Sequence, residues 1–308
     1  MTVDAAGNTY VTGYSDGIGT GKDYVTIKYN PLGTQQWAAR YNGPGNAEDF
    51  ANAIVLDTMG NIYVTGKSTG TVSLEDIATI KYNPGGTMLW TLRYNGNANN
   101  SDEGNTIAYD KLGNIIVSGK SKSASLNFDI ITIKYNLSGA QQWVKILNGS
   151  NNSDDEASSV TTDNAGNVFV AGSCNNIVTN SDYTTIKYNY AGIEQWVCNY
   201  NGSMNNTDKA SSICIDPAGN VYVAGFCQDI GTNMNFLTIR YNTGGALVWL
   251  DKFNHIDNDS DMAFIDNEIL IFASGYNLAD LTGDEIVDLS DMSIADNNSF
   301  EFITVIRP

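Results

Sequence analysis

A period of 53 residues runs through most of this 308-residue chain without one insertion. Gly-Asn pairs begin at Gly7, Gly60, Gly113, Gly166 and Gly219. The string Thr-Ile-Lys-Tyr-Asn begins at Thr26, Thr79, Thr132 and Thr185, and returns as Thr-Ile-Arg-Tyr-Asn from Thr238. All five tryptophans, Trp37, Trp90, Trp143, Trp196 and Trp249, keep the same step. A fixed period of this length marks a repeat architecture, in which each unit buries its apolar faces on copies of itself. Apolar and polar residues alternate within each unit, which predicts strands. In the second unit they fall at Ala53 to Leu56, Asn61 to Thr65, Ile77 to Tyr82 and Met88 to Tyr94. Asp57-Thr58-Met59-Gly60-Asn61 and Asn83-Pro84-Gly85-Gly86 read as tight turns. No window carries a 3.6-residue period with caps, so a helical solenoid is excluded. The expected fold is all-β: a β-propeller of five four-stranded blades, either a closed ring or an open arc of a larger propeller. An open arc would expose blade faces and strand edges that a ring hides.

The units resemble the SBBP β-propeller repeats. The matching motifs are Gly60-Asn61-Ile62-Tyr63-Val64-Thr65-Gly66, then Lys81-Tyr82-Asn83, then Trp90. The resemblance spans roughly residues 1 to 255 and implies seven blades, whereas five are countable and the first lacks most of its innermost strand. Met1-Thr2-Val3-Asp4 opens in the middle of a unit and lacks the basic and apolar regions of a signal peptide, so an N-terminally truncated chain is expected.

Hydrophobic residues make up 42 % of the chain, enough for a core, while 16 basic residues against 34 acidic leave a net charge of −18. That balance argues against nucleic acid or an anionic membrane as partner, since both need a basic surface. No run approaches the ~18 apolar residues of a membrane span. Two Gly-x-Ser-x-Gly matches, Gly13 to Gly17 and Gly66 to Gly70, lack the strand-to-helix turn of a nucleophile elbow, and the sole histidine is His255. Gly17, Gly19, Gly21 and Lys22 hint at a phosphate loop, but Asp23 replaces the metal-binding hydroxyl and no helix follows.

The once-per-unit tryptophans are read as packing between blades rather than as sugar-stacking platforms. Lys28, Lys81, Lys134, Lys187 and Arg240 each follow Asp23, Asp76, Asp129, Asp182 or Asn235 by five residues, so a repeated local ion pair or hydrogen bond is expected. Asp49, Asp102, Asp155 and Asp208 precede each innermost strand and are read as structural loop caps. Cys174, Cys198, Cys214 and Cys227 are expected as free thiols. The non-turn connections vary in sequence, as in Gly43 to Glu48, Ser150 to Asp154 and Ser203 to Thr207, and their face of the disc or the channel is where a ligand would sit.

The pattern changes after Phe253. Asp280, Thr282, Asp284, Asp288 and Asp291 occupy positions 1, 3, 5, 9 and 12 of a twelve-residue loop, with the Ile286 carbonyl at position 7, a spacing that wraps a chain around Ca²⁺. This resembles a dockerin-type calcium loop, closed by Asp291 rather than by glutamate. Ser260 to Asn267 echoes Ser290 to Asn297 at a step of 30, as in the two loop-helix units of dockerins. Leu250 and Lys252 spoil the first loop, and Glu285 stands where glycine is usual in the second. In the competing reading, Asp261 to Gly275 form the first two strands of a sixth blade.

The expected organisation is therefore a propeller over 1–255 and a small α-helical calcium-loop module over 256–308. The expected role is a secreted bacterial binding or scaffold protein rather than an enzyme. Calcium is the expected cofactor, and its partner a cohesin-like or cell-surface protein, as the dockerin resemblance implies; a glycan or protein would meet the loop-rich propeller face. The location implied is extracellular or at the cell surface. The alternatives are a polysaccharide-acting hydrolase or lyase with paired carboxylates on the propeller, and a spacer without a ligand.

Overall fold

The computed structural model describes residues 1–150, 152–176, 179–231 and 233–253. These contain twenty strands and no helix, arranged as five four-stranded antiparallel sheets. The first sheet is β1 (Thr2–Val3), β2 (Thr9–Gly17), β3 (Gly21–Tyr29) and β4 (Gln35–Tyr41). The second is β5 (Asp49–Leu56), β6 (Ile62–Thr69), β7 (Glu75–Tyr82) and β8 (Met88–Tyr94). The third is β9 (Asp102–Asp110), β10 (Asn114–Lys122), β11 (Phe128–Asn136) and β12 (Gln141–Leu147). The fourth is β13 (Glu156–Thr162), β14 (Val168–Asn176), β15 (Asn180–Tyr188) and β16 (Glu194–Tyr200). The fifth is β17 (Lys209–Ile215), β18 (Val221–Asp229), β19 (Asn233–Tyr241) and β20 (Leu247–Phe253). Each is a simple meander in which neighbours in sequence are neighbours in the sheet. The strands run longer than their alternation suggests: β5 starts at Asp49 and β6 continues to Thr69, into the segment read from sequence as loop.

The two tight turns of each unit are built by side chains that the repeat carries along. Asp57 Oδ1 accepts from the Met59 and Asn61 amides, while its Oδ2 accepts from the Asn61 side chain and the Tyr63 hydroxyl. Gly60 sits at φ 78°, which a side chain would resist. Asn83 Oδ1 likewise accepts from the Gly85 and Thr87 amides. These Asx turns explain the D-x-x-G-N and N-x-x-G signatures.

The core lies between sheets. The first interface buries Tyr10 and Tyr24 of the first sheet against Ile62, Val64, Ala78, Ile80 and Tyr82 of the second, with Trp37 packed on its edge. The Trp37 indole N–H donates to the Pro84 carbonyl of the next unit, and Trp90, Trp143 and Trp196 do the same to Leu137, Tyr190 and Thr243. The tryptophans thus clamp each sheet to its successor.

Burial along each repeated position distinguishes the end sheets. Val64, Val117, Val170 and Val223 are fully buried, but Val11 is half-buried, because among the described residues no blade covers the outer face of the first sheet. Tyr24, Ile77, Ile130 and Tyr183 are at most 1 % exposed, yet Phe236 at the same position of the fifth sheet is 56 % exposed.

Candidate functional site

The innermost strands β5, β9, β13 and β17 lie beside one another in series. On them, and on the strands paired with them, side chains of alternating charge meet across blades. Lys67 reaches Glu75 (3.9 Å) and Glu103 (4.0 Å). Lys120 bridges Glu103 (3.7 Å) and Glu156 (3.3 Å), and Lys209 closes on the other oxygen of Glu156. Aromatic residues bound this ladder: Phe50 stacks edge-on with Tyr14 and lies under Lys22 and Lys67, while Phe226 stands opposite Lys209 in the sheet. Burial alone would raise the Glu156 carboxyl, but the bond and charge of Lys209, then Lys120, hold it below its ordinary value. Glu75 is also held low: burial opposes, and the Ser101 hydroxyl and Lys67 prevail. Carboxylates kept ionised in this way suit ionic recognition and are poorly suited to donating a proton. Sequence reading missed the ladder because its members pair between units, at a position where the repeat carries Phe50, Glu103, Glu156 and Lys209 in turn.

The Asp49 series does cap loops. Asp49 is fully buried and accepts from the Gly43 and Thr69 amides; Asp155 accepts from Gly149 and Asn175, and Asp208 from Gly202 and Gln228. The loops themselves share one backbone despite their variable sequence. Asn46, Asn99, Asn152 and Asn205 all take φ of 41–50°, and each accepts a hydrogen bond from the asparagine four residues earlier. Variation is confined to the residues between these fixed points. Ile18, Val72 and Ile230 stand exposed at the hairpin tips of this same end, and Leu32 and Ile193 at the tight turns of the other.

Burial pushes Asp155 up to about 6, against its two amide donors and with help from the charges of Asp129 and Asp154. Asp102 and Asp208 are raised by burial as well. Burial raises Asp129 too, and no arginine offsets it: Arg40 and Arg93 pair with the equivalent Asp23 and Asp76, but Ile146 occupies that place in the third sheet. The folded state therefore holds these protons more tightly than the unfolded chain does. For Asp155 that contribution is complete below about pH 4 and is lost as pH rises through about 6. Asp155 alone accounts for about 2–3 kcal/mol of it. Urea unfolding should show stability rising from pH 7.5 to 5, and Asp155→Asn should flatten the rise; a wild-type stability that falls over this range contradicts the assignment.

The expected pairing of each lysine with the aspartate five residues before it is overturned. Five residues of strand span about 16 Å and place the two side chains on opposite faces. Lys134 instead forms a buried ion pair with Asp110 (3.2 Å), and its neighbours Lys81 and Lys187 donate to the Leu137 and Thr243 carbonyls of the next blade. The Gly-x-Ser-x-Gly glycine Gly66 is required by packing, since a Cβ there would lie 1.9 Å from the Phe50 carbonyl oxygen. The four cysteines are free thiols. Among the described residues no three His, Cys, Asp or Glu side chains converge as metal ligands, and no helix is long and apolar enough to cross a membrane. The calcium-loop residues Asp280, Thr282, Asp284, Ile286, Asp288 and Asp291, and the module boundary at 255/256, lie outside the described residues.

A structure of a gluconolactonase from Xanthomonas campestris is similar at 13 % identity and a TM-score of 0.38, over 66 % of this chain and 64 % of that one. An alpha-L-arabinofuranosidase from Clostridium thermocellum is similar at 12 % identity and a TM-score of 0.35, over 83 % and 93 %. Neither likeness carries an activity to this chain. An uncharacterised WD repeat-containing protein of Acanthamoeba polyphaga mimivirus is 29 % identical over 127 residues, which span 36 % of this chain and 9 % of the viral protein. The model of the SBBP beta-propeller repeat matches residues 36–72 and 142–177, two stretches that begin two periods apart. With the five repeated antiparallel sheets, that match supports reading the repeats of this chain as propeller blades of SBBP type.

Proposed function

We propose that the chain is a non-catalytic binding or scaffold protein. The repeats would present a loop-rich face to a glycan or protein, and residues 256–308 would attach to a protein partner or the cell surface through calcium. One observation carries the propeller part: the carboxylates at the centre of the inter-blade ladder, Glu103 and Glu156, are each paired with lysine, and Glu156 is held below its ordinary value. A glycosidase needs one carboxyl raised to act as the acid. Asp155 is raised, but it is fully buried and occupied by two backbone amides. Support for the calcium part is the donor set itself, hard oxygens at the loop spacing that Ca²⁺ requires. Bound there, the ion would neutralise the acidic run from Asp280 to Asp291. An extracellular location agrees with that need, since free calcium is in the millimolar range outside cells.

The test is a glycan and protein array probed with the full chain, with and without EDTA, beside a polysaccharide hydrolysis assay. Binding is expected without hydrolysis, and the protein hits should vanish with EDTA and in Asp284→Ala. Hydrolysis that is lost in Glu156→Gln would overturn the reading. Protein hits indifferent to EDTA would remove the calcium part alone.

A further inference from the structure

Among the described residues, the outer faces of the first and fifth sheets are the two unmatched halves of an interface that the chain makes four times within itself. We propose that these halves join, the fifth sheet of one copy packing on the first sheet of a second copy in head-to-tail association.

At each internal interface, a glycine in the fourth-strand turn seats a side chain of the preceding blade. A Cβ on Gly86, Gly192 or Gly245 would come within 2.6–2.8 Å of Trp37, Trp143 or Trp196, and one on Gly139 would lie 3.3 Å from Leu92. Gly33, the same position in the first sheet, has nothing within 4 Å. Trp249, the matching knob of the fifth sheet, is 40 % exposed. The preceding tryptophans donate to the carbonyls of Pro84, Leu137, Tyr190 and Thr243, and Pro31 presents the equivalent carbonyl beside Gly33. Among the described residues neither the Trp249 indole N–H nor the Pro31 carbonyl has a partner. Arg240 repeats the mismatch. Lys81, Lys134 and Lys187 donate to those carbonyls from its position, whereas Arg240 Nε is buried without a hydrogen bond.

The apolar surfaces correspond as well. Tyr24 donates to the Ala78 carbonyl and Tyr183 to the Leu237 carbonyl of the following sheet. By the same step, Phe236 of one copy would meet Val25 of the next. Val11, Val25, Ile27 and Tyr29 are half-buried where their equivalents in later sheets are nearly sealed. Because the two faces differ, the contact is heterologous and can extend beyond a pair.

The test is sedimentation of the full chain over a concentration series. The mass of the wild-type chain should rise with concentration. Phe236→Glu should weaken association about tenfold or more, and Val25→Lys should do the same from the other face. An equimolar mixture of the two variants should yield a heterodimer, since each retains one intact half. Phe236 is 56 % exposed and its replacement threatens no core; Val3→Lys, at a site 55 % exposed, serves if Val25→Lys fails to fold. A wild-type chain that stays monomeric, single variants that associate like wild type, or variants that do not complement each other would each overturn the proposal.

Discussion

Truncating Trp143 to alanine should lower the stability of the monomer by about 3 kcal/mol, while the same change at Trp249 should cost under ~1 kcal/mol. The two residues occupy one repeat position and differ only in what lies beyond them. Trp143 rests against Gly192, its ring centre lies 5.9 Å from that of Tyr188, and its indole N–H donates to the Tyr190 carbonyl at 3.1 Å. Removing it opens a cavity between the third and fourth sheets and leaves the Tyr190 carbonyl with only the longer bond from Lys134 Nζ, 3.4 Å. Among the described residues no sheet lies beyond Trp249, and it is already 40 % exposed. Urea unfolding followed by far-ultraviolet circular dichroism at low protein concentration measures both. Equal losses at the two positions would show that the tryptophans stabilise their own sheets rather than the joints between them.

Replacing Lys134 by methionine should cost about 3–5 kcal/mol, against under ~1 kcal/mol for Lys28→Met. The Lys134 and Asp110 side chains are 1 % and 0 % exposed, and the ammonium lies 3.6 Å from the centre of the Tyr190 ring. Without it, a buried carboxylate would keep its hydrogen bonds from Asn114 but lose its counter-charge. Lys28 is half-buried over Tyr10 on the face turned to the second sheet, and among the described residues it forms no ion pair. A second substitution separates charge from packing. Adding Asp110→Asn should recover part of the loss, because asparagine still accepts at the turn and carries no charge. A loss that the second substitution does not relieve would mean that the lysine stem, not its charge, supports the joint.

Much of the fold was legible before any coordinates, since period, turn chemistry and alternation all repeat and each copy corroborates the others. Trp37 and its equivalents were rightly placed between blades. The lysine series was misplaced for a specific reason. Spacing along the chain suggested a partner five residues away, whereas strand geometry sends that partner to the opposite face and brings in the next blade's turn, 56 residues on. The Lys67 to Lys209 ladder was hidden for the same reason. Nothing local links Lys120 to Glu156, 36 residues apart; only the stacking of innermost strands does. In the loops, Asn46, Asn99, Asn152 and Asn205 recur at the 53-residue step in the sequence, but their role as left-handed anchors shows only in the backbone.

By itself the sequence determined the blade: how many strands it has, where they turn, and which residue clamps it to its neighbour. These follow from short-range chemistry, Asx turns and period-two alternation, acting within one 53-residue unit. Only the tertiary structure decided how the units meet. Whether Val11 or Val64 is sealed, whether Trp249 is knob or clamp, and whether Glu156 faces one lysine or two depend on which blade lies alongside. Burial and ion pairing are properties of two surfaces in contact, and a repeat that writes the same surface five times does not say which copies have a neighbour.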